Sequence, residues 1–286
     1  MEIVESRTGA AWRRSGDPGA RRALVLFHGL ASNGSRWREF AETVEADESL
    51  PGWKIVAPDL RGHGRSARRG RIDSKRWARD FETMRVAEGI ETLVLGGHCL
   101  GANLAIRIAA GGPKGLAGLV LVEPMVPAAW AGIAARWGRF RFILPPLAAL
   151  ARAANALGIG RRSFPELDLK ASDIAARRMQ ADDDGHFNTD YASPQRDIRF
   201  LPTASYLAAL HETLRPLPAP ERIACPTLAM LSSGGLFGDP ARTRAWLERI
   251  ERIRIVDVAA QHWIPTEQPE AMRSQLLRFV SDLGRD

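Results

Sequence analysis

The sequence predicts an α/β protein with a mostly parallel, doubly wound sheet, and three observations support this prediction. Short apolar runs alternate along the chain with amphipathic helical patterns, as in parallel sheets that helices cover on both faces. The alternation stops after Pro124 and resumes at Thr227, which indicates an insertion between two strands of one sheet. The stretch Gly97-His98-Cys99-Leu100-Gly101 joins an apolar run directly to a helical pattern.

The elements follow in chain order from these patterns. Residues 2–6 and 11–14 alternate in polarity and predict an antiparallel hairpin at the sheet edge. Parallel neighbours need a long crossover, usually a helix, and the remaining elements alternate accordingly. Further strands are predicted at 23–27, 54–57, 93–95, 119–122, 227–231 and 254–258, and helices at 35–44, 74–88, 102–110, 241–250 and 269–283.

The insertion divides the chain into a core and a lid. Residues 127–220 are helical and loop-like, with the break Pro145-Pro146 and no strand pattern of their own. An insertion without its own strands indicates a lid and not a second sheet domain. We therefore expect the core at 1–126 and 221–286.

Length, charge and cysteine content exclude several classes of protein. A chain of 286 residues with 45% hydrophobic content can bury one large core. It has no apolar stretch long enough to span a bilayer and no signal-peptide pattern, so we expect a cytoplasmic protein without stable membrane insertion. Two cysteines are too few for a disulfide framework. The net charge is +7, but the basic residues do not form a stripe interleaved with aromatic residues. This distribution argues against nucleic-acid binding.

One cluster of basic residues is denser than the rest of the chain. It consists of Arg61, Arg65, Arg68, Arg69, Arg71, Lys75, Arg76 and Arg79. Such a cluster is most often a solvated loop and helix face. The alternative is a surface that attracts anionic substrates or an acyl carrier protein.

Cys99 is the candidate nucleophile. A strand that turns into a helix within one residue forces that residue into strained backbone geometry, and Gly97 and Gly101 leave room for it. The pattern G-x-C-x-G is that of a nucleophile elbow, with sulfur where a serine hydroxyl is more usual. A thiol needs a base or a helix N-terminus to form a thiolate, and an elbow supplies both. A buried cysteine in a glycine-rich turn is the alternative without chemistry.

Three other motifs follow the ends of predicted strands. They are Phe27-His28-Gly29-Leu30, Pro58-Asp59-Leu60-Arg61-Gly62-His63-Gly64-Arg65-Ser66, and Gln261-His262-Trp263-Ile264-Pro265 followed by Glu267. With the elbow, in this order and at these spacings, they make the chain resemble the α/β-hydrolase superfamily over nearly its whole length. The resemblance implies the α/β-hydrolase fold with an inserted helical lid, and no cofactor or metal.

The resemblance also implies the base and the oxyanion hole. It places the base at His262, in the loop between the last strand and the last helix. The histidines of the first two motifs are structural in the family, and we expect His98 to point along the elbow strand. The backbone N–H groups of Leu30 and Leu100 are the implied donors to a developing oxyanion.

The third catalytic group that the resemblance implies is an acid that orients the histidine. Its position departs from the commonest family pattern. Family members usually carry an aspartate shortly after the strand equivalent to 227–231, where this chain has Gly234-Gly235. Asp239 follows, but it precedes Pro240 as a helix N-cap does. Glu123 ends the strand after the elbow, a position that some α/β-hydrolases, including certain haloalkane dehalogenases, use for the acid. We favour Glu123 and keep Asp239 as the alternative.

The resemblance implies an acyl-processing enzyme. Cys99 would attack an ester, thioester or lactone carbonyl, His262 would take and return the proton, and Glu123 would orient the imidazole. A cysteine excludes chemistry that needs an aspartate nucleophile. Dienelactone hydrolases and polyhydroxyalkanoate synthases are relatives by fold that use an elbow cysteine, so hydrolysis and transfer of the acyl group to another nucleophile are both open.

The predicted lid suggests the kind of substrate. It carries aromatic residues that could roof an apolar pocket for a small acyl substrate: Trp130, Trp137, Phe140 and Phe142. Aromatic residues at helical spacing are more often lid core. Two alternatives stay open, a non-catalytic ligand receptor of this fold and an engineered cysteine in place of a serine at position 99.

Overall fold

An eight-stranded sheet carries the fold in the computed structural model, which describes residues 1–67, 70–130, 132–159, 163–182, 193–234 and 237–284. The strands are β1 (Glu2–Glu5), β2 (Ala11–Gly16), β3 (Arg22–Phe27), β4 (Trp53–Asp59), β5 (Thr92–His98), β6 (Leu116–Val122), β7 (Thr227–Ser232) and β8 (Ile253–Val258). They lie in the order β1-β2-β4-β3-β5-β6-β7-β8. The pairs β1·β2 and β2·β4 are antiparallel and the other pairs are parallel. The predicted edge hairpin and mostly parallel sheet are confirmed.

Helices connect the strands on both sides of the sheet. Within the described ranges they are α1 (Arg38–Ala46), α2 (Ser74–Ala87), α3 (Leu100–Ala109), α4 (Gly132–Arg139), α5 (Leu144–Ala156), α6 (Leu169–Asp182), α7 (Pro194–Asp197), α8 (Thr203–Thr213), α9 (Pro240–Leu247), α10 (Ile264–Glu267) and α11 (Pro269–Asp282).

The first predicted helix begins differently from the prediction. The Asn33 side chain accepts a hydrogen bond from the Ser35 N–H at 2.8 Å and starts a short 3₁₀ turn, Gly34–Trp37, before α1. Asp73 caps α2 in the usual manner, since its carboxylate accepts from the Arg76 N–H at 2.8 Å. Side-chain caps thus set the start of the 3₁₀ turn and the start of α2.

The core lies in two apolar layers, one on each face of the sheet. Alternate residues of β3 enter opposite layers: Val25 packs with the layer of α2 and α3, and Leu24 with that of α1 and α11. Both side chains are completely buried. Burial on both faces explains why this strand is a continuous apolar run and confirms the doubly wound architecture.

The chain between β6 and β7 carries α4 to α8, and we call residues 127–226 of it the intervening segment. Buried polar contacts hold it to the core. The Arg36 guanidinium donates to the Asp173 carboxylate on α6 and to Thr266 Oγ1 on α10. The Asn103 side chain on α3 donates to the carbonyl of Thr213 at the end of α8, at 3.3 Å. Of the helices described, none is long and apolar enough to cross a membrane.

Candidate active site

Cys99 occupies the sharp turn between β5 and α3. Its φ of +54° lies in the left-handed region, which is strained for a residue with a side chain. A Cβ at Gly97 would lie 2.4 Å from the carbonyl carbon of Gly101, and one at Gly101 would lie 2.4 Å from the carbonyl oxygen of Phe27. Both contacts are with backbone, which cannot yield. The two glycines are therefore required for the turn, as the elbow pattern predicts.

His262 and Glu123 meet at the same edge of the sheet. His262 lies in the loop between β8 and α10, and Glu123 directly follows β6 with φ of +49°. The Nδ1 atom of His262 is 3.1 Å from Oε2 of Glu123, and both side chains are largely buried. The other carboxylate oxygen accepts the backbone N–H of Ser232, at the end of β7. Glu123 is thus fixed between the histidine and the neighbouring strand.

The electrostatic surroundings favour a protonated His262. Burial lowers its pKa, but hydrogen bonds to Cys99 and Glu123 and the charges of both groups outweigh burial and raise the pKa to about 10. Cys99 lines the same cavity as His262, the imidazole whose Nδ1 faces Glu123. An imidazolium placed in this way stabilises a thiolate beside it.

The loop that carries His262 has its own anchor. The Glu267 carboxylate accepts the backbone N–H groups of Gln261, His262 and Trp263 at 2.9, 3.2 and 2.9 Å. Phe237 packs its ring against the imidazole, with centroids 4.7 Å apart. The sequence motif included Glu267 without a role, and its only signal was an acid shortly after the histidine. Nothing in the sequence singled out Phe237.

Asp239 has a different partner. Its Oδ1 accepts the N–H groups of Ala241 and Arg242 at 2.9 and 3.2 Å, so it is the N-cap of α9. Gly234 leaves no space for the usual acid, because a Cβ there would lie 2.8 Å from Cα of Gln261. The structure therefore brings Glu123, and not Asp239, to the histidine.

The two expected oxyanion donors lie next to Cys99 in the chain and in the wall of its cavity. Leu100 is the first residue of α3, and Leu30 lines the same cavity as Cys99. In the part of the chain that the structure describes, neither backbone N–H donates to a protein acceptor. Ala31, next to Leu30, has φ of +54°, so the loop after β3 is also strained.

His28 and His63 join the first two sequence motifs. Leu60 donates its N–H to Nε2 of His28 at 3.0 Å, and the rings of His28 and His63 pack edge to face. Burial lowers the pKa of each to about 3, so both are neutral. These contacts support the loop that carries Leu30, in agreement with a structural role.

His98 differs from the expectation. Its ring does not simply follow the elbow strand, because Nε2 lies 3.0 Å from the carbonyl oxygen of His262. A carbonyl only accepts, so Nε2 carries a proton and donates it. Burial holds the pKa of His98 well below its usual range, and the ring is neutral. The residue before the candidate nucleophile therefore fixes the loop of the candidate base.

A cavity of about 400 Å³ opens beside the sulfur. The core supplies the polar end of its wall, including Gly29, Cys99 and His262. The intervening segment supplies mostly apolar side chains: Leu144, Leu167, Leu169, Pro194, Phe200, Tyr206, Leu207, Leu210 and Leu214. This volume is typical of sites for small organic molecules.

The aromatic roof that the sequence suggested is wrong for two residues. Phe140 and Phe142 are exposed and do not line this cavity, because the helix that follows them faces it only with Leu144. The Trp130 ring packs so closely on Gly138 that a Cβ there would lie 2.4 Å from it. The side chain of Trp137 lies outside the described residues.

Ion pairs occupy much of the basic cluster predicted between positions 61 and 79. Arg61 pairs with Asp80 at 2.7 Å, Arg65 with Glu166 at 3.0 Å, and Arg76 with Asp73. Arg68 and Arg69 lie outside the described residues. Binding of an anionic partner here remains a prediction. Among described residues, no group of three or more His, Cys, Asp or Glu side chains is placed to hold a metal ion.

Known proteins resemble the chain in sequence. The family model described as alpha/beta hydrolase fold matches residues 22–269. The chain is 34% identical over 119 residues to Lipase LipV of Mycobacterium tuberculosis, a match covering 40% of this chain and 41% of that protein. It is 34% identical over 110 residues to N-formylmaleamate deformylase of Pseudomonas putida, covering 38% and 39% respectively. The chain thus spans about two fifths of the length of these curated relatives.

Solved structures resemble the whole chain. An esterase from Thermogutta terrifontis superposes with a TM-score of 0.67 over 99% of both chains, at 20% identity. The enol-lactonase from Burkholderia xenovorans superposes with a TM-score of 0.68 over 98% of this chain and 100% of that one, at 17% identity. At such low identity these likenesses show the fold alone.

Proposed function

The chain belongs to the alpha/beta hydrolase fold family, and from that premise we propose that it cleaves esters, thioesters or lactones through an acyl-enzyme formed on Cys99. The proposal rests above all on one observation. Cys99, Glu123 and His262 come together at the carboxyl ends of β5, β6 and β8, beside a cavity of about 400 Å³. Parallel sheets commonly bind their ligands at this edge.

The first step is attack by the thiolate. In this step the sulfur of Cys99 reacts as a thiolate beside the imidazolium of His262, and Glu123 keeps Nδ1 as the donor to its carboxylate, so Nε2 faces the reaction. The sulfur adds to the substrate carbonyl. The carbonyl oxygen becomes an oxyanion, which the N–H groups of Leu30 and Leu100 stabilise by donation.

The leaving group takes its proton from His262. As the tetrahedral intermediate collapses, the bond from the carbonyl carbon to the leaving oxygen or sulfur breaks, and Nε2 protonates that atom. The acyl group remains on Cys99 as a thioester. The neutral imidazole then removes a proton from water, which attacks the thioester and releases the carboxylic acid and the thiolate.

Transfer to another acceptor is the second candidate, and the sulfur at position 99 favours it. An acyl thioester reacts with amines and thiols as well as with water, so the same intermediate can pass its acyl group to a non-water nucleophile. The apolar wall from the intervening segment suits the acyl chain in either reaction. Relatives named lipase, deformylase, esterase and enol-lactonase agree with carbonyl chemistry on this fold.

The nucleophile is tested by trapping the acyl-enzyme. The protein is mixed with a panel of p-nitrophenyl esters and acyl thioesters, quenched in acid and measured by intact mass. We expect one added acyl group on the wild type and none on Cys99→Ala. Cys225→Ala is the matched control, because burial raises the pKa of the Cys225 thiol and makes it a poor nucleophile, so its adduct should equal that of the wild type.

Three outcomes of the trapping experiment would contradict the proposal. An adduct that persists in Cys99→Ala assigns the nucleophile to another residue. Turnover by Cys99→Ala at the wild-type rate would exclude an acyl-enzyme on Cys99 as the reaction intermediate. Tight binding of an ester without any adduct or turnover, in a folded wild-type protein, would make the chain a receptor. If the adduct forms, adding an amine or thiol and measuring the mass of the product separates transfer from hydrolysis.

A further inference from the structure

Exposed apolar side chains concentrate in one part of the intervening segment. Eleven large apolar residues are exposed in the described part of the chain, and seven of them lie between positions 140 and 159. They are Phe140, Phe142, Ile143, Leu147, Leu150, Leu157 and Ile159. Single exposed apolar residues are ordinary on a soluble protein, whereas a group of this kind marks a contact surface.

Helix α5 is apolar on two sides and covered on one. Its buried residues are Leu144 and Ala148, and Leu144 lines the 400 Å³ cavity. Ile143, Leu147 and Leu150 recur at intervals of four and three residues, which places them on one stripe of the helix, and all three are exposed. An amphipathic helix would carry polar residues on that stripe. We call these three residues, with Phe140 and Phe142, the α5 apolar face.

The stretch of sequence that contains this face carries charges of a single sign. Between Glu123 and Glu166 the sequence contains six arginines and no aspartate or glutamate. Arg136 and Arg139 are exposed, and in the described ranges no carboxylate forms an ion pair with either. This contrasts with the arginines between 61 and 79, several of which are paired.

We propose that the α5 apolar face docks on the surface of an anionic phospholipid bilayer. Apolar side chains enter the boundary between headgroups and acyl chains, and arginines beside them attract anionic headgroups, which is the usual combination for proteins that bind at the interface. A second copy of the chain fits less well, because a two-fold contact through this face would bring arginines against arginines. An acidic protein would pair with the arginines but leave the apolar stripe without a partner.

The docked orientation has a consequence for the cavity. The same helix presents Leu144 to the cavity and Leu150 to the lipid, so a single helix would separate the cavity from the bilayer surface. This inference goes beyond the proposed function and does not depend on it, since vesicle binding is measured without turnover.

Vesicle flotation tests the docking. The full chain is mixed with phosphatidylcholine vesicles that either contain or lack phosphatidylglycerol, and the fraction that floats is measured. We expect binding to the anionic vesicles only. Arg136→Gln combined with Arg139→Gln should weaken it about 25-fold, from about 5-fold for each arginine. Phe142→Gln combined with Leu150→Gln should weaken it on the order of 100-fold, about 10-fold for each apolar side chain.

Matched controls lie on α2, away from this face. Val86→Gln removes an apolar side chain that is 72% exposed, and Arg79→Gln removes an exposed arginine. Both should float as the wild type does. Phe142 and Leu150 are each 68% exposed, so their replacement should leave the circular dichroism spectrum and Tm unchanged.

Several results would overturn the docking proposal. Equal flotation with and without phosphatidylglycerol would show that charge does not contribute to binding. Flotation of the wild type that does not change with salt concentration would show the same. No flotation at all would reject the lipid partner. A dimer in light scattering that Phe142→Gln with Leu150→Gln converts to a monomer would assign the face to a second copy. Retention on poly-glutamate without vesicle binding would assign it to acidic proteins.

Discussion

The sheet core and the intervening segment differ in how far they bury their apolar side chains. Leu24 and Val25 on β3 are completely buried on opposite faces of the sheet, whereas α5 buries only Leu144 and Ala148 and exposes neighbours of the same chemistry. The core holds Cys99, Glu123 and His262 in place through strand ends and strained turns, and the segment forms most of the cavity wall. We therefore expect substitutions in the core to change kcat and substitutions in the segment to change selectivity.

The largest effect should come from replacing Glu123, the carboxylate that contacts His262. Glu123→Gln removes the charge that orients and stabilises the imidazolium, while an amide oxygen can still accept the N–H of Ser232. In a serine triad such a loss costs on the order of 10⁴-fold in kcat. A cysteine enzyme forms its thiolate more easily, so we expect a large fall in kcat that does not exceed the fall in a serine triad. The measurement is kcat on an activated ester, together with Tm.

Asp239→Asn is the matched control for Glu123→Gln. Asparagine caps a helix about as well as aspartate, so α9 should keep its stability and kcat should stay near the wild-type value. A larger loss of kcat in Asp239→Asn than in Glu123→Gln would move the acid to α9. If both variants keep full activity, Cys99 and His262 act as a dyad.

The second effect tests the segment. Leu210 on α8 lines the cavity, and Leu210→Trp should fill part of its 400 Å³. We expect kcat/KM for octanoyl or longer esters to fall roughly 10- to 100-fold relative to acetyl esters, because the lost space costs a few kcal/mol for the longer chain only. Turnover of acetyl esters by Leu210→Trp should stay near the wild-type rate, which would show that Cys99, His262 and Glu123 are undisturbed.

Phe142→Ala provides the comparison for Leu210→Trp. Phe142 is an exposed residue of the same segment and does not line the cavity. Chain-length preference should therefore not change when a soluble substrate is used. If Phe142→Ala shifts the preference and Leu210→Trp does not, the 400 Å³ cavity is not the acyl site.

Local patterns were sufficient to predict most of the core. The continuous apolar run of β3 and the two glycines around Cys99 follow from burial on both faces and from a turn with no room for a Cβ. The position of His262 follows from its motif. These features depend on a few neighbouring residues, so the sequence carries them directly.

Features that depend on tertiary packing were harder to predict. Glu123 and Asp239 both follow strands in the sequence, and only the distance from Glu123 to His262 separates their roles. The contact of His98 with the His262 loop joins residues far apart in the chain. In α5 and the turn before it, apolar residues on two sides give no periodicity that tells which side faces the cavity, so the sequence alone assigns the outward Phe142 to the roof.

The smallest effect concerns a titratable group in the cavity wall. Burial raises the pKa of Asp197 to about 7, and the charge of Arg196 offsets only part of this effect. Because the folded-state pKa lies above the usual value of 3.8, the neutral carboxyl favours the folded state, fully below pH ~4, and this contribution is lost as pH rises through about 7. The ionised carboxylate then opposes burial against the apolar wall.

Asp197→Asn should remove this pH dependence. The variant and the wild type should have similar free energies of unfolding near pH 4.5, and the variant should be more stable above pH 8, by on the order of 1 kcal/mol because solvent partly reaches this carboxylate. Urea unfolding at the two pH values measures the difference. Asp257→Asn is the control, since Asp257 is exposed and pairs with Arg244 at the surface, and its replacement should have a small effect at both pH values. If the Asp197 variant shows the same difference at both pH values, its carboxyl titrates as an ordinary surface group, and the wall of the segment is as accessible to water as its outer face.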